Sequence, residues 1–222
     1  MHVYAHRGAR LEATENSLEA FRLAAELGVD GIETDVQRTV DGAWVLMHDD
    51  YVLINESYVY VRQLTLSELK KSVAADVVLL DELLDDVGQG LPILLDIKQN
   101  DIAYDLAKKI FIENKFEHIE ISSFRHEDIK LITQHYTQIK TSIIVASMPL
   151  RPEICVQAVG AKGISLVRTA LTQRGIDSLQ KAKIDIKIYT VNDINEAQMF
   201  KDMNINAVIT DDPRRIMNVS KK

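Results

Sequence analysis

The chain has 222 residues, of which 46% are hydrophobic, and it carries a net charge of −7. An acidic chain lacks the excess of Lys and Arg that displaces counterions from nucleic acid or anionic membranes, so neither is an expected partner. Cys155 is the single cysteine, no apolar run approaches the roughly 18 residues of a membrane span, and the chain does not open on a basic, apolar leader. We therefore predict a soluble, cytoplasmic protein without stable membrane insertion.

Eight short β-type runs alternate with helix-type segments along the chain. In order they are HVYAH (2–6), GIETDV (31–36), ILLDIK (93–98), IEISS (119–123), TSIIVA (141–146), GISLV (163–167), IKIYTV (186–191) and AVITD (207–211). No linker-like tract divides them, which predicts one domain over residues 1–222. Eight β-then-α units predict an α/β fold of the (β/α)8 type, a TIM barrel. The alternative is an open doubly wound sheet, but the Gly-x-Gly-x-x-Gly loop expected after its first strand is absent.

Helices are predicted most clearly at three places. Residues 17–27 and 101–114 have amphipathic spacing, and Thr65 with Glu68 forms a capping-box pattern that predicts the start of another helix.

A ninth β-type run, AWVLMHD (43–49), follows the second strand too closely for a crossover between parallel strands. The Asp-Gly pair at 41 and 42 favours a two-residue hairpin turn. We therefore predict an extra hairpin strand after the second barrel strand. The predicted cross-strand pairs are Val40 with Ala43, Thr39 with Trp44, Gln37 with Leu46, and Asp35 with His48.

Carboxylates lie near the C-terminal ends of two neighbouring predicted strands, where the active sites of (β/α)8 barrels lie. Glu33 and Asp35 share one face of the second strand, and Asp96 lies near the end of the third. Three carboxylates in one barrel mouth would repel one another, and a hard divalent cation, Mg²⁺ or Ca²⁺, would relieve that repulsion. The alternative is that Glu33 and Asp35 face solvent or pair with Arg7 and Lys98. We predict one divalent-cation site at Glu33, Asp35 and Asp96.

Two histidines and two cations are predicted at the same rim. His6 ends the first strand and the hairpin returns His48, so the pair can remove one proton and deliver another near neutral pH. Arg7 and Lys98 are placed to bind an anion. A divalent cation, two basic side chains and two histidines together indicate cleavage of a phosphate ester. Other polar strand ends are Ser122, Ser123, Arg168, Asn192, Asp211 and Asp212. The remaining histidines are predicted to be structural: His2, His118, His126 and His135.

Nine short motifs occur in an order and spacing that resemble the glycerophosphodiester phosphodiesterase family. They are HRG (6–8), TENS (14–17), GIETDV (31–36), VDG (40–42), HDD (48–50), LDIK (95–98), SSF (122–124), YTVN (189–192) and ITDDP (209–213). The likeness spans the whole chain.

The resemblance implies a metal-dependent hydrolase that converts glycerophosphodiesters to an alcohol and glycerol 3-phosphate. It implies that His6 and His48 are the acid and base, in an order that the sequence leaves open. The implied ligands of the cation, Mg²⁺ or Ca²⁺, are Glu33, Asp35 and Asp96, and the implied substrate contacts are Arg7, Lys98, Glu15 and Tyr189.

The chain departs from the family's pattern at several positions. Asp96 stands where the family has glutamate, Tyr189 where it has tryptophan, Thr14 where it has proline, and Ser17 where it has threonine. After His48, YVLINESYVYV (51–61) replaces the family's Thr-Leu-Asp-Arg-Thr run. The alcohol that is released is therefore left open, as is the oligomeric state.

Three other functions remain as alternatives. The same chemistry could act on lysophospholipids or another phosphodiester, for which the altered segment after Asp50 is the motive. A lyase or aldolase could use Lys98 to form a Schiff base, although neighbouring carboxylates would keep its amine protonated. A non-catalytic binder of phosphodiesters would not require both histidines and all three carboxylates.

Overall fold

The computed structural model describes residues 1–73, 76–87 and 90–220. Its strands are β1 (His2–His6), β2 (Gly31–Arg38), β3 (Trp44–Leu46), β4 (Tyr51–Ile54), β5 (Ser57–Tyr60), β6 (Ile93–Ile97), β7 (Ile119–Ser123), β8 (Lys140–Val145), β9 (Gly163–Val167), β10 (Asp185–Tyr189) and β11 (Ala207–Thr210). Its α-helices are α1 (Leu18–Glu26), α2 (Leu66–Ser72), α3 (Leu80–Asp86), α4 (Ala103–Ile112), α5 (His126–His135), α6 (Pro152–Ala158), α7 (Gln173–Lys181), α8 (Ile194–Asp202) and α9 (Pro213–Ser220).

Eight parallel strands close into a barrel, as predicted. Going round the ring, the strands are β1, β2, β6, β7, β8, β9, β10 and β11, and β11 pairs back with β1. Each of the eight predicted runs is one barrel strand. All five residues of β6 and of β7 are buried, because helices cover the outer face and side chains fill the interior.

The predicted helices are also present. Ser17 caps α1 by accepting a hydrogen bond from the backbone N–H of Ala20. Thr65 and Glu68 form the predicted capping box at the start of α2, and α4 lies within the predicted segment 101–114. Within the described ranges, none of the helices has the length and apolar character needed to cross a membrane.

The extra strand β3 pairs antiparallel with β2 outside the ring, but the predicted register is wrong by one residue. Arg38 pairs with Trp44, Gln37 with Val45, and Val36 with Leu46. The reason is a three-residue turn, residues 40–42, in place of the two-residue turn. Thr39 pairs with Ala43 through a backbone bond of 3.0 Å and through its hydroxyl, which accepts from the backbone N–H of Ala43.

The register shift changes the partner of Asp35. Its carbonyl accepts from the backbone N–H of Met47 at 3.1 Å, so Asp35 is opposite Met47 and the predicted pairing with His48 is wrong. Gly42 makes the longer turn possible, because it adopts a φ of +90°, which L side chains rarely adopt.

The segment after Asp50, which departs from the family's pattern, is a two-stranded hairpin. β4 and β5 pair antiparallel, with Tyr51 opposite Tyr60 and Leu53 opposite Tyr58. One face of the hairpin packs on a satellite core, separate from the barrel core, through Val52. The opposite face exposes Tyr51, Leu53, Tyr58 and Tyr60 to solvent.

Candidate active site

The polar strand ends surround a cavity of about 240 Å³ at the C-terminal end of the barrel. The predicted site residues that line it are His6, Arg7, Glu33, His48, Asp96, Lys98 and Tyr189. Its wall also includes Leu94, Ser122, Phe124, Ile144, Ser165, Thr190 and Ile209. The cavity is therefore strongly charged on the side of β1, β2 and β6, and lined by uncharged side chains, both hydroxyl-bearing and apolar, on the opposite side.

Glu33, Asp35 and Asp96 form a compact, buried group. One carboxylate oxygen from each lies within 4.8 Å of the others. The alternation along β2 places Glu33 and Asp35 on the same face, and Asp96 pairs with Asp35 across the strands. Among the described residues, Oε2 of Glu33 and Oδ1 of Asp96 accept no hydrogen bond. Oδ1 of Asp35 also lacks a well-directed hydrogen bond, but Lys98 Nζ lies 3.1 Å from it.

These unpartnered oxygens fit a hard divalent cation. Buried polar atoms without partners are unusual, because each loses its hydration without replacement. An oxygen-only set of carboxylates is the kind of donor set that Mg²⁺ and Ca²⁺ prefer. The three residues can therefore hold a metal ion.

Burial and neighbouring charges shift the pKa values of the three carboxylates in different directions. Burial, and then the charges of Asp35 and Asp96, raise the pKa of Glu33 well above its ordinary value. Burial likewise raises the pKa of Asp96 to about 6, although Lys98 opposes that shift. Burial would also raise the pKa of Asp35, but Lys98 and Arg7 outweigh it and hold that pKa below its usual range.

Arg7 and Lys98 lie against the carboxylates. Lys98 Nζ is 2.6 Å from Asp96 Oδ2 and 3.1 Å from Asp35 Oδ1, and Arg7 Nε is 3.1 Å from Asp35 Oδ2. The alternative that the carboxylates pair with Arg7 and Lys98 is therefore partly correct. Oδ1 of Asp96, however, has no hydrogen-bond partner among the described residues. Burial lowers the pKa of Lys98, but Asp35 and Asp96 outweigh it and raise the pKa above its ordinary value.

Asn16 fixes the position of Asp35, a role that the sequence did not reveal. Its side-chain amide donates to Asp35 Oδ2 at 3.2 Å, and its carbonyl oxygen accepts from the Thr34 hydroxyl at 2.8 Å. Asn16 is buried in the loop before α1 at a φ of +55°. This loop therefore supports the carboxylates as well as carrying Arg7.

The two histidines differ in their surroundings. His6 Nε2 is 3.8 Å from Glu33 Oε2, and His6 Nδ1 is 2.6 Å from Asp211 Oδ1. His48 is more exposed, and its Nδ1 is 2.8 Å from the carboxylate of Asp49. The Gln37 amide donates to the backbone carbonyls of Met47 and Asp49, on either side of His48. These two bonds hold the segment that places His48 in the cavity wall.

Tyr189 and Glu15 occupy different parts of the rim. The Tyr189 ring lines the cavity and packs edge to face against the Phe124 ring, with 6.4 Å between the ring centroids. The Tyr189 hydroxyl donates to the backbone carbonyl of Val145. Glu15 lies outside the cavity lining and accepts from Arg7 Nη1 at 2.9 Å, and it also pairs with Arg10. Glu15 is therefore in contact with Arg7 and not with the cavity.

The comparisons with known proteins agree with this geometry. The sequence model described as the glycerophosphoryl diester phosphodiesterase family matches residues 6–215. The chain belongs to the glycerophosphoryl diester phosphodiesterase family. The glycerophosphodiester phosphodiesterase of Caldanaerobacter subterraneus subsp. tengcongensis is 27% identical, with 99% of this chain and 98% of the relative covered.

Solved structures of other proteins share the fold. The Thermotoga maritima glycerophosphodiester phosphodiesterase superposes with a TM-score of 0.84 at 25% identity, covering 99% of this chain and 98% of that chain. An Oleispira antarctica phosphodiesterase, solved in complex with the product sn-glycerol-3-phosphate, superposes with a TM-score of 0.88 at 21% identity. The superposition covers 100% of this chain and 97% of that chain.

Several residues of this family member surround the site without having been assigned to it from the sequence. Asp211 and Asn192 were visible as polar strand ends, but nothing in the sequence indicated that Asp211 contacts His6. Phe124 and Ser165 enter the cavity wall because alternate residues of a barrel strand face inward and loops fold over the rim. Such contacts depend on barrel closure and are not encoded in local spacing.

Proposed function

We propose that this protein is a divalent-metal-dependent phosphodiesterase that hydrolyses glycerophosphodiesters to glycerol 3-phosphate and an alcohol. The observation that carries the proposal is the mouth cavity, where three carboxylates, two basic side chains and two histidines gather. Family membership supports the reaction class, and the Oleispira antarctica phosphodiesterase is described with the corresponding product.

Glu33, Asp35 and Asp96 would hold one Mg²⁺ or Ca²⁺. When bound, the cation supplies Lewis-acid stabilisation of the charge that develops on the phosphoryl group. Charge balance supports a divalent ion at this position: when all three carboxylates are ionised, as they are when they ligate a cation, they exceed Arg7 and Lys98 by one negative charge. A dication reverses the sign of that set and so favours a phosphodiester monoanion.

Arg7 and Lys98 would bind the non-bridging phosphate oxygens. Both side chains are largely buried at the cavity wall, and both are held by carboxylates, which fixes their position before substrate arrives. Glu15 would act by holding Arg7, while the ring of Tyr189 would form a flat wall for the substrate. His6 and His48 would act as acid and base, one removing a proton from the nucleophile and the other protonating the leaving alcohol. One water is consumed overall, so that the products are glycerol 3-phosphate and the alcohol.

The Schiff-base alternative is disfavoured by the surroundings of Lys98. A lysine nucleophile must be deprotonated, and its pKa is usually depressed by desolvation or by a second cation. Here Asp35 and Asp96 raise the pKa of Lys98. At neutral pH the ammonium is a fixed positive charge, suited to binding phosphate and not to attacking a carbonyl.

A second candidate function on the same site is hydrolysis of lysophospholipids. The observation that favours it is the exposed face of the β4–β5 hairpin, on which Tyr51, Leu53, Tyr58 and Tyr60 form an aromatic and apolar surface soon after His48 in the chain. Tyrosines with an apolar ring and a polar hydroxyl suit the boundary between acyl chains and water. Replacing Tyr58 by Ser would lower activity on lysophospholipids selectively if this candidate is right.

Three further features belong to the same proposal. Residues 1–222 would form one domain, since the barrel strands extend from β1 to β11. The single cysteine supports a cytoplasmic location, and the net charge of −7 supports a small-molecule substrate over nucleic acid.

The test is a turnover assay with a panel of glycerophosphodiesters and lysophospholipids, measured with and without a chelator. We expect release of glycerol 3-phosphate from the diesters, loss of activity with chelator, and recovery with Mg²⁺ or Ca²⁺. Binding of diesters without turnover under all metal conditions would instead indicate the non-catalytic binder.

A further inference from the structure

His6 is held at its Nδ1 by a chain of polar contacts at the rim. Asp211 Oδ1 is 2.6 Å from His6 Nδ1, and Arg10 Nη1 is 3.4 Å from the same oxygen. The other oxygen of Asp211, Oδ2, accepts from the Asn192 amide at 2.8 Å. Both oxygens of Asp211 are therefore engaged.

Asn192 cannot easily reverse its amide. Its carbonyl oxygen accepts from the backbone N–H of Asp211 at 2.9 Å and from the Thr210 hydroxyl at 3.0 Å. These two donors fix the carbonyl, so the amide nitrogen faces Asp211. Asn192 follows β10 and Asp211 follows β11, so the contact links adjacent strand ends beside β1.

The protonation of Asp211 determines which ring nitrogen of His6 carries hydrogen. Burial would raise the pKa of Asp211, but the contacts with His6 and Asn192 outweigh it and lower the pKa to about 2. An ionised carboxylate only accepts hydrogen bonds, so Nδ1 of His6 must donate. In a neutral imidazole the other nitrogen, Nε2, then carries the lone pair, and Nε2 is the atom on the Glu33 side of the ring.

We propose that Asp211 and Asn192 are positioning residues that hold His6 in the tautomer with hydrogen on Nδ1, leaving Nε2 directed into the cavity. This inference rests on the proposed role of His6 in hydrolysis. A group that fixes the tautomer of a catalytic histidine acts on turnover more than on substrate binding.

His48 provides the internal contrast. Its Nδ1 is 2.8 Å from Asp49, a distance similar to that in the other pair, but the Asp49 side chain is 64% exposed compared with 21% for Asp211. An exposed charged contact between neighbouring residues restrains a ring weakly. Asp49→Asn is therefore the matched control for Asp211→Asn.

The substitution Asp211→Asn should favour the opposite tautomer of His6. The fixed Asn192 amide nitrogen donates toward this position at 2.8 Å, whereas Arg10 is 3.4 Å away on a partly exposed side chain that can turn to solvent. The new side-chain carbonyl therefore faces Asn192, and the new amide nitrogen faces His6. Two donors cannot share one hydrogen bond, so His6 Nδ1 becomes the acceptor and hydrogen moves to Nε2. Asp211→Ala removes the acceptor and should release the ring without directing it.

The experiment combines ring ¹⁵N NMR with kinetics on the full chain in Mg²⁺, using glycerophosphocholine as the substrate. Spectra are recorded on the alkaline side of the histidine titrations, and the His6 signals are assigned from a His6→Gln spectrum. For Asp211→Asn we expect the Nε2–H tautomer and a fall in kcat of about 10- to 100-fold with little change in KM. For Asp49→Asn we expect an unchanged His6 tautomer and less than about a fivefold fall in kcat.

Other outcomes overturn the inference. An unchanged His6 tautomer in Asp211→Asn, or a kcat for that variant within about fivefold of the parent's, would show that Asp211 does not position His6. If Asp211→Asn does not fold, the tautomer and kcat of Asp211→Ala decide instead, because that variant removes the acceptor; a mixed tautomer is expected, and an unchanged one contradicts the inference. Should the parent protein turn over no diester, the proposed function fails, while the NMR comparison still decides whether Asp211 fixes the tautomer.

Discussion

The two carboxylate oxygens of Asp96 have different surroundings. Oδ2 is 2.6 Å from Lys98 Nζ, while Oδ1 is buried without a hydrogen-bond partner among the described residues. If Oδ1 is a metal ligand, Asp96→Asn should weaken Mg²⁺ or Ca²⁺ binding by about tenfold or more, because it removes one negative charge from the donor set. Isothermal titration of either ion into the parent and the variant measures this.

Asp96→Glu is the conservative comparison for that titration. It keeps the charge and lengthens the side chain by one methylene, to the residue that the family resemblance places here, so we expect metal affinity close to that of the parent. Equal affinity in all three proteins would remove Asp96 from the metal site and leave it as a partner of Lys98 alone.

Replacing either cavity histidine tests the acid and base roles. His6→Ala and His48→Ala should each lower kcat by about a hundredfold or more, the usual contribution of a positioned proton donor or acceptor. His2→Ala is the matched control, because His2 is exposed at the opposite end of the same strand, β1. Steady-state kinetics with circular dichroism as a folding check would identify a structural histidine as one whose loss leaves kcat near that of the parent.

Residue types and strand position were sufficient to predict that the three carboxylates and His6 lie together, but Glu15, predicted to contact substrate, lies outside the cavity lining. The period of two along β2 puts Glu33 and Asp35 on one face, and barrel closure brings Asp96 and His6 beside them. Their supporting contacts could not be predicted in the same way. His6 and Asp211 are 205 positions apart, and only the three-dimensional path of the chain sets the distance between their side chains.

At the level of elements, the loop between β1 and α1 depends on close packing at Gly8. Gly8 has a φ of +83°, and a Cβ there would lie 2.7 Å from the backbone carbonyl carbon of Ala20 in α1. Gly8→Ala should therefore destabilise the fold by more than the roughly 1–2 kcal/mol of left-handed strain alone. Gly28→Ala is the control, since Gly28 has a φ of +74° but no atom within 4 Å of the position that an added methyl carbon would take.

Urea unfolding of the two variants separates strain from steric overlap. We expect Gly28→Ala to lower the free energy of unfolding by the strain contribution alone. Gly8→Ala should lower it by clearly more, because α1 must move away from the loop that carries Arg7. An equal decrease in the free energy of unfolding in the two variants would mean that α1 accommodates the added methyl group without further destabilisation.

The hairpin after β2 illustrates the limit of local reasoning about elements. The Asp-Gly pair correctly predicted a turn, but side-chain bonds decided its length: the Thr39 hydroxyl donates to Asp41 and accepts from Ala43, which closes a three-residue turn. Asp41 also accepts from the backbone N–H of Leu66 at the start of α2. A contact with a helix 25 positions away is not visible in the turn sequence, and it shifts every cross-strand partner by one.

For the molecule as a whole, the eightfold alternation was enough to predict a closed barrel, because helices on the outer face and side chains inside leave each strand buried on both sides. The polar layers inside that barrel were harder to predict. Below the mouth, Lys187 Nζ lies 2.6 Å from Glu120 Oε1, and both side chains are buried. The sequence shows two charged residues in strand patterns, but only closure pairs β7 with β10 across the interior.

This interior pair predicts how the stability of the whole barrel depends on pH. Burial would raise the pKa of Glu120, but Lys187 and Lys140 outweigh it and hold the pKa below its ordinary value. The ionised carboxylate therefore stabilises the folded state fully above the unfolded-state pKa of about 4.3, and this contribution is lost as the pH falls through the folded-state pKa. Glu120→Gln leaves Lys187 buried without its charged partner and should lower the free energy of unfolding at pH 7 by about 3–5 kcal/mol.

The measurement is denaturant unfolding of the parent and Glu120→Gln between pH 7 and pH 3. The difference between them should be constant down to about pH 4.3 and then shrink, because the parent also loses its carboxylate charge. Glu113→Gln is the matched control, since Glu113 is also 2.6 Å from a lysine, Lys109, but on the outer surface at the end of α4. Exposed pairs of that kind contribute about 0.3–0.5 kcal/mol. A difference for Glu120→Gln that is as small as this, or that does not change with pH, would mean that the interior ion pair does not stabilise the barrel.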